Sequence, residues 1–195
     1  LWVNRLRADF RAALVVVAWG ALSKAARATS ILATAIAAAL VIMSPPWDRG
    51  LLASGVYMYA PFVPTDLDLA TQLKAGEVLY YREGASATVS VKRLTGTTTL
   101  AVNGKTDASN RGDMITQKLI AHIPLLLHEN PRDVAIIGLG SGVTVGSALR
   151  HPIARADVLE ISSEVVEASR FFEAENHRAL ADPRFTFFKA RFSEL

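Results

Sequence analysis

Asp133-Val134-Ala135-Ile136-Ile137-Gly138-Leu139-Gly140-Ser141-Gly142 is the stretch on which the fold turns. Its first half is a short, continuous apolar run of the kind buried in a parallel sheet, and it empties into a glycine loop ahead of a helix reaching about His151. Glycine is needed there because the chain must turn tightly and let a ligand approach the backbone without Cβ atoms in the way, while the following helix presents free N–H groups. The spacing is Gly-x-Gly-x-Gly. A dinucleotide fingerprint would place its last glycine where Val143 stands, which disfavours NAD, and a plain tight turn is the weaker, alternative reading of the loop taken alone.

Downstream, Asp157-Val158-Leu159-Glu160 reads as a second strand, Ile161, Val165, Ala168 and Phe172 form a helical stripe, and Phe185-Thr186-Phe187-Phe188 reads as a third strand. The β-α-β-α-β order argues an α/β fold with a doubly wound, Rossmann-like parallel sheet. Glu160 closes the second strand, where a carboxylate can accept both hydroxyl hydrogens of a ribose. The alternative is a capping or solvent-facing acid. Loop and acid together, in strand-helix context, point to a nucleoside ligand.

Upstream, Ile115, Leu119, Ile123 and Leu126 recur at helical spacing, and Phe171-Phe172 with the Phe185–Phe188 aromatics read as core. Thr88–Leu94 and Thr97–Val102, with turns at Thr95-Gly96 and Asn103-Gly104, predict a small β-hairpin element. Residues 48–77 are turn-rich and read as a linker with a short helix near Leu67–Leu73. The expected organisation is therefore membrane helices over 1–47, a linker over 48–77, a β-hairpin domain over 78–106 and a Rossmann-like nucleoside-binding domain over 107–195.

The membrane assignment rests on Ala28 to Trp47, twenty consecutive uncharged residues ending at Pro45-Pro46-Trp47. A shorter uncharged run, Ala12 to Ser23, precedes it, so one or two spans are expected, attached to a soluble C-terminal part. A signal peptide and a buried soluble helix are the competing readings. Arg5, Arg7, Arg11, Lys24 and Arg27 against Arg49 place the C-terminal part outside the cytoplasm for one span and weakly reverse that for two, so sidedness stays open.

Composition removes other classes. The 195 residues contain no cysteine, which excludes disulfides, thiolate metal sites and a cysteine nucleophile. A net charge of +3 is too mild for a nucleic-acid-binding stripe. His122, His128, His151 and His177 lack paired metal spacing, so no metal is expected, and His122 reads as a packing or surface residue. Ser141 lacks the elbow pattern of a hydrolase nucleophile.

Asn103-Gly104, Asp113-Met114 through Gln117, Ala121-His122-Ile123-Pro124-Leu125, Asn130 through Gly142, and Val158-Leu159-Glu160-Ile161 together resemble the polyamine aminopropyltransferases, the spermidine synthase family. The resemblance runs from about Tyr80 to Phe188. The apolar start followed by Pro46-Trp47-Asp48-Arg49-Gly50-Leu51-Leu52-Ala53-Ser54-Gly55-Val56-Tyr57 resembles the membrane-attached branch, in which a transporter-like region precedes the synthase-like domain.

The resemblance implies a fold like that of S-adenosylmethionine-dependent methyltransferases. It also implies aminopropyl transfer from decarboxylated S-adenosylmethionine to putrescine or a related amine, with methylthioadenosine released and a homodimer as assembly. Gly138, Gly140, Ser141 and Gly142 would then line the donor, Glu160 would hold its ribose, and Gln117 would lie near donor and amine.

Three positions depart from the family pattern. Ser141 stands where an aspartate pairs with the donor's amine, Thr116 replaces a tyrosine, and about Arg191 the charge is opposite to an expected aspartate. The acceptor-activating aspartate is expected beyond Leu195, so no catalytic residue is assigned within the chain. With Leu1 instead of Met at its start and a strand near its end, the sequence reads as a piece of a longer protein with incomplete activity. Two alternatives stay open: a methyltransferase using intact S-adenosylmethionine, and a noncatalytic nucleoside-binding domain coupled to a transporter-like membrane region.

Overall fold

The computed structural model describes residues 23–44, 47–62 and 68–189, and the chain divides into two compact units, 1–47 and 48–195. In the first, helix α1 (Lys24–Met43) is capped by Ser23, whose hydroxyl oxygen accepts the Ala26 N–H at 3.2 Å. The hydroxyls of Thr29, Thr34 and Ser44 donate to carbonyls one turn back, at 3.0, 2.9 and 2.7 Å, so these polar groups are satisfied within the segment itself. Its 20 residues are long and apolar enough to cross a membrane, and none is buried. Apart from Ser23, the earlier apolar run lies outside the described residues.

In the second unit, residues 48–77 hold more structure than the expected linker: α2 (Arg49–Leu52), α3 (Val56–Tyr59), a 3-10 turn (Ala60–Phe62) and α4 (Leu69–Lys74). The Asp48 and Asp68 carboxylates cap α2 and α4, and Asp48 also pairs with Lys74 at 2.8 Å, tying the two helices together.

Next comes an antiparallel sheet of β1 (Glu77–Glu83), β2 (Thr88–Leu94), β3 (Thr97–Val102) and β4 (Lys105–Ser109), paired in chain order. The hairpin expected over 78–106 is thus the centre of a four-stranded sheet. Thr95-Gly96 and Asn103-Gly104 both take positive φ, the combination of two-residue turns whose twist matches the flanking strands.

The remainder alternates α5 (Met114–Leu127), β5 (Asp133–Ile137), α6 (Val143–Ala148), β6 (Arg155–Glu160), α7 (Ser163–Ala168) and β7 (Phe185–Lys189). The three strands are parallel, in the order β5-β6-β7. One buried cluster joins the two sheets, from Val89, Val91 and Leu100 through Leu139 and Val145 to Val158 and Phe172. A boundary at residue 106 therefore separates no independent cores, because the apolar face of the small sheet is covered by the α/β part.

Local readings differ in three places. The expected α5 stripe turns outward, with Ile115, Leu119, Ile123 and Leu126 exposed, whereas Ala121 and Leu125 are buried. Packing and not the spacing of large apolar residues chooses the buried face, where small Ala121 lets α6 approach. β5 is covered on one side only: Val134 and Ile136 pack against the core, while Ala135 and Ile137 face outward into solvent or open space. Of the aromatics expected in the core, Phe172 is fully buried and Phe185 packs against it, but Phe171, Phe187 and Phe188 are exposed.

Candidate functional site

The loop after β5 begins where ladder bonding hands over to side chains. Gly138 N–H donates to Leu159 O at 2.8 Å, and the next N–H, that of Leu139, donates to Glu160 Oε2 at 2.9 Å. Gly138 and Gly140 take φ of +86° and +55°, and a Cβ at either would meet nothing within 4 Å. Their glycine requirement is thus conformational, and the space beside them is open for a ligand to reach the backbone.

Glu160 is buried and already engaged. Its Oε2 accepts from Leu139 and its Oε1 accepts the Ser162 N–H at 2.9 Å. Each oxygen keeps a second acceptor direction, so the carboxylate can still receive two ribose hydroxyls while bracing the loop. The sequence offers Glu160 as a ribose acceptor, with a capping or solvent-facing acid as the alternative; the fold makes it a strut for the loop as well.

Ser141 and Gln117 form the other wall. Ser141 is 2% exposed, and its hydroxyl donates to Gln117 Oε1 across the gap between the loop and the first turn of α5. The Gln117 Nε2 donates to Ser109 O and to Asp113 Oδ2, both at 2.8 Å. Asp113 also accepts from the Ser109 N–H, at 3.0 Å, and from its hydroxyl. The amide orientation is consequently imposed: with both N–H groups held, only the oxygen can face Ser141. Thr144 completes the junction, donating to Gln117 O at 2.9 Å.

Sequence reasoning missed two supports. Asp113 occupies the residue before α5, where an acid reads as a helix cap, yet it makes no capping bond and holds Gln117 instead. Asn176 is 1% exposed and donates through Nδ2 to Ser141 O at 2.9 Å and Ser169 O at 3.0 Å. A lone Asn in a polar connection carries no signal of this; only close packing against Gly142 and Gly146 reveals it.

Near the end of β6, Ser162 and Ser163 hydroxyls donate to Glu164 at 2.8 and 3.4 Å, and Glu164's carboxyl is held below its usual value by its own backbone N–H and by Ser162. Thr116 is exposed. About Arg191 the chain lies outside the described residues. His122 is not a lone packing residue: its Nδ1 lies 2.8 Å from His151 Nε2, linking α5 to the end of α6. Among the described residues no group of three or more potential metal ligands forms.

Gln117, Gly138, Gly140, Ser141, Gly142 and Glu160 thus come together at the C-terminal ends of β5 and β6, where open α/β sheets bind ligands. The site offers a ribose acceptor and free loop backbone. Its Ser141–Gln117 wall is neutral and cannot pair with an ammonium.

The Spermine/spermidine synthase domain matches residues 113–191. The chain is 31% identical over 112 residues to the polyamine aminopropyltransferase of Archaeoglobus fulgidus, which covers 57% of this chain and 42% of that protein. It is 37% identical over 86 residues to the polyamine aminopropyltransferase of Caldicellulosiruptor saccharolyticus, covering 44% and 31%. The crystal structure of spermidine synthase from Thermotoga maritima superposes with a TM-score of 0.55 at 27% identity, over 60% of this chain and 42% of that one. A spermidine synthase in complex with the transition-state analogue AdoDATO superposes with a TM-score of 0.54 at 27% identity, over 58% and 39%. The chain spans less than half the length of these relatives.

Proposed function

We propose that this chain, whose residues 113–191 match the Spermine/spermidine synthase domain, binds an adenosyl sulfonium donor at the Gly138–Gly142 loop and serves aminopropyl transfer to putrescine or a related amine. Decarboxylated S-adenosylmethionine is the donor in this reading. The observation that carries it is the Leu139–Glu160 bond at 2.9 Å, which holds open loop backbone beside a carboxylate with acceptor capacity to spare.

In the reaction the amine nitrogen attacks the methylene carbon beside the sulfonium, a C–N bond forms, the C–S bond breaks and methylthioadenosine leaves. The sulfur already carries its leaving charge, so the protein's task is to align the amine, take its proton and balance cationic groups. The loop and Glu160 orient the nucleoside, and Gln117, held by Asp113, borders the donor tail. The base that receives the amine proton is, in this reading, the acceptor-activating aspartate that the family resemblance implies, and no described residue is assigned to that role. Helix α1 supports attachment to a membrane as in the transporter-linked branch, and the family resemblance extends the reading to a homodimer.

The neutral Ser141–Gln117 wall favours a second reading, methyl transfer from intact S-adenosylmethionine, because a carboxylate on the donor tail meets no negative charge there. Titration with both donors separates the two. Tighter binding of the decarboxylated donor, with transfer to putrescine in the full-length protein, supports aminopropyl transfer. Tighter binding of the intact donor overturns it, and binding of both without turnover supports a nucleoside-sensing domain.

A further inference from the structure

The antiparallel sheet has a second face, turned away from the shared core, and over it lies a cavity of about 400 Å³. Its floor is set by strand alternation: Val89 and Val91 point to the core, so Ser90 and Lys92 point to the cavity. Leu73 and Leu94 supply apolar wall.

Among the described residues, Lys92 is the only charged one that lines the cavity. Its half-buried Nζ donates to Leu73 O at 3.3 Å, and the other two ammonium hydrogens have no partner among the described residues. Ser90 is 2% exposed, and its hydroxyl likewise has no partner there. Burial lowers the Lys92 pKa, against the attraction of Asp48, which is itself paired with Lys74 outside the cavity lining. A cation and a hydroxyl with unmet hydrogens, two residues apart on one strand face, form an unfilled set of donors.

We propose that this cavity binds a small organic monocarboxylate, its two oxygens received by Lys92 Nζ and Ser90 Oγ and its hydrocarbon body lying along Leu73 and Leu94. One cation matches one negative charge; a phosphate dianion would bring a second charge with no counterpart among the described lining residues, which include no arginine fork to receive it. The volume falls within the range of small-molecule sites, and an apolar wall with a few placed polar groups is their usual lining. The site is separate from the nucleoside loop and stands whether or not that reading holds.

The test is calorimetric titration of the full chain in detergent with butyrate, butyramide and inorganic phosphate. Butyrate binds saturably, and butyramide binds at least about tenfold more weakly, the size of one charge-assisted hydrogen bond. Lys92→Met weakens butyrate by about tenfold or more and Ser90→Ala by a few fold, on the same scale, with thermal melts showing that both variants fold. If Lys92→Met does not fold, Ser90→Ala and the butyrate–butyramide comparison decide. No saturable butyrate binding, equal binding of butyramide, or unchanged binding in folded Lys92→Met overturns the proposal. Phosphate binding tighter than butyrate overturns the assignment to a carboxylate.

Discussion

The backbone N–H of Leu139 donates to Glu160 Oε2 at 2.9 Å, so the loop after β5 and the acid that ends β6 are one mechanical unit. With Ser162 on the other carboxylate oxygen, Glu160 braces the loop from beneath and keeps its remaining lone pairs for a ligand.

Glu160→Gln tests that double role. A neutral amide offers one acceptor oxygen, so both backbone N–H groups lose a charged partner and one of them loses its acceptor. Methylthioadenosine binding weakens by about 1–3 kcal/mol, the scale of a charge-assisted hydrogen bond. Calorimetry reads the affinity; an unchanged value would place the ribose elsewhere.

Ser141→Asp alone does not restore a carboxylate wall. Gln117 presents its oxygen to this position and cannot turn, because Ser109 and Asp113 hold its Nε2. The variant loses about 1–3 kcal/mol of stability through facing acceptors. Adding Asp113→Asn releases the amide, regains part of the loss and moves donor preference toward decarboxylated S-adenosylmethionine. Urea unfolding and paired donor titrations measure both effects.

Gly146→Ala tests the packing of α6 against the 170s segment. An added Cβ would lie 2.1 Å from the Asn176 backbone oxygen, which is too close without backbone movement. A loss of about 1–3 kcal/mol is expected from such overpacking. Asn176→Ala, which strands the Ser141 and Ser169 carbonyls, should cost about as much in urea unfolding.

Acid stability should report on Asp182. Arg184 donates to Asp182 Oδ2 at 2.8 Å and to Leu149 O at 2.7 Å, gathering the end of α6, and it holds the Asp182 carboxyl below its ordinary value of 3.8. A depressed carboxylate stabilises the fold fully above its unfolded value and loses that contribution as pH falls through the lower, folded one. Asp182→Asn should therefore flatten the acid limb of an unfolding curve below about pH 4 and lower stability at neutral pH.

Much of this was legible along the chain. Strand runs, turn dipeptides and the glycine loop are local signals, because φ preference, alternation and the need for open backbone act within a few residues. The order β-α-β-α-β and the position of Glu160 at the end of the second strand follow from them. The face of α5 was not legible, since its buried side is fixed by the packing of α6 at Ala121 and Leu125 and not by the spacing of its large apolar residues.

The amino-acid sequence by itself determined the β-α-β-α-β order of the α/β part, both hairpin turns, the open loop at Gly138 and Gly140, and the acid that belongs beside it. Only the tertiary structure decided that Glu160 braces this loop, that Asp113 dictates which end of the Gln117 amide meets Ser141, and that Asn176 packs under Gly142 and Gly146. Those contacts join residues tens of positions apart. Their hydrogen-bond directions depend on which donors are already occupied, and occupancy is settled only when distant segments are packed together.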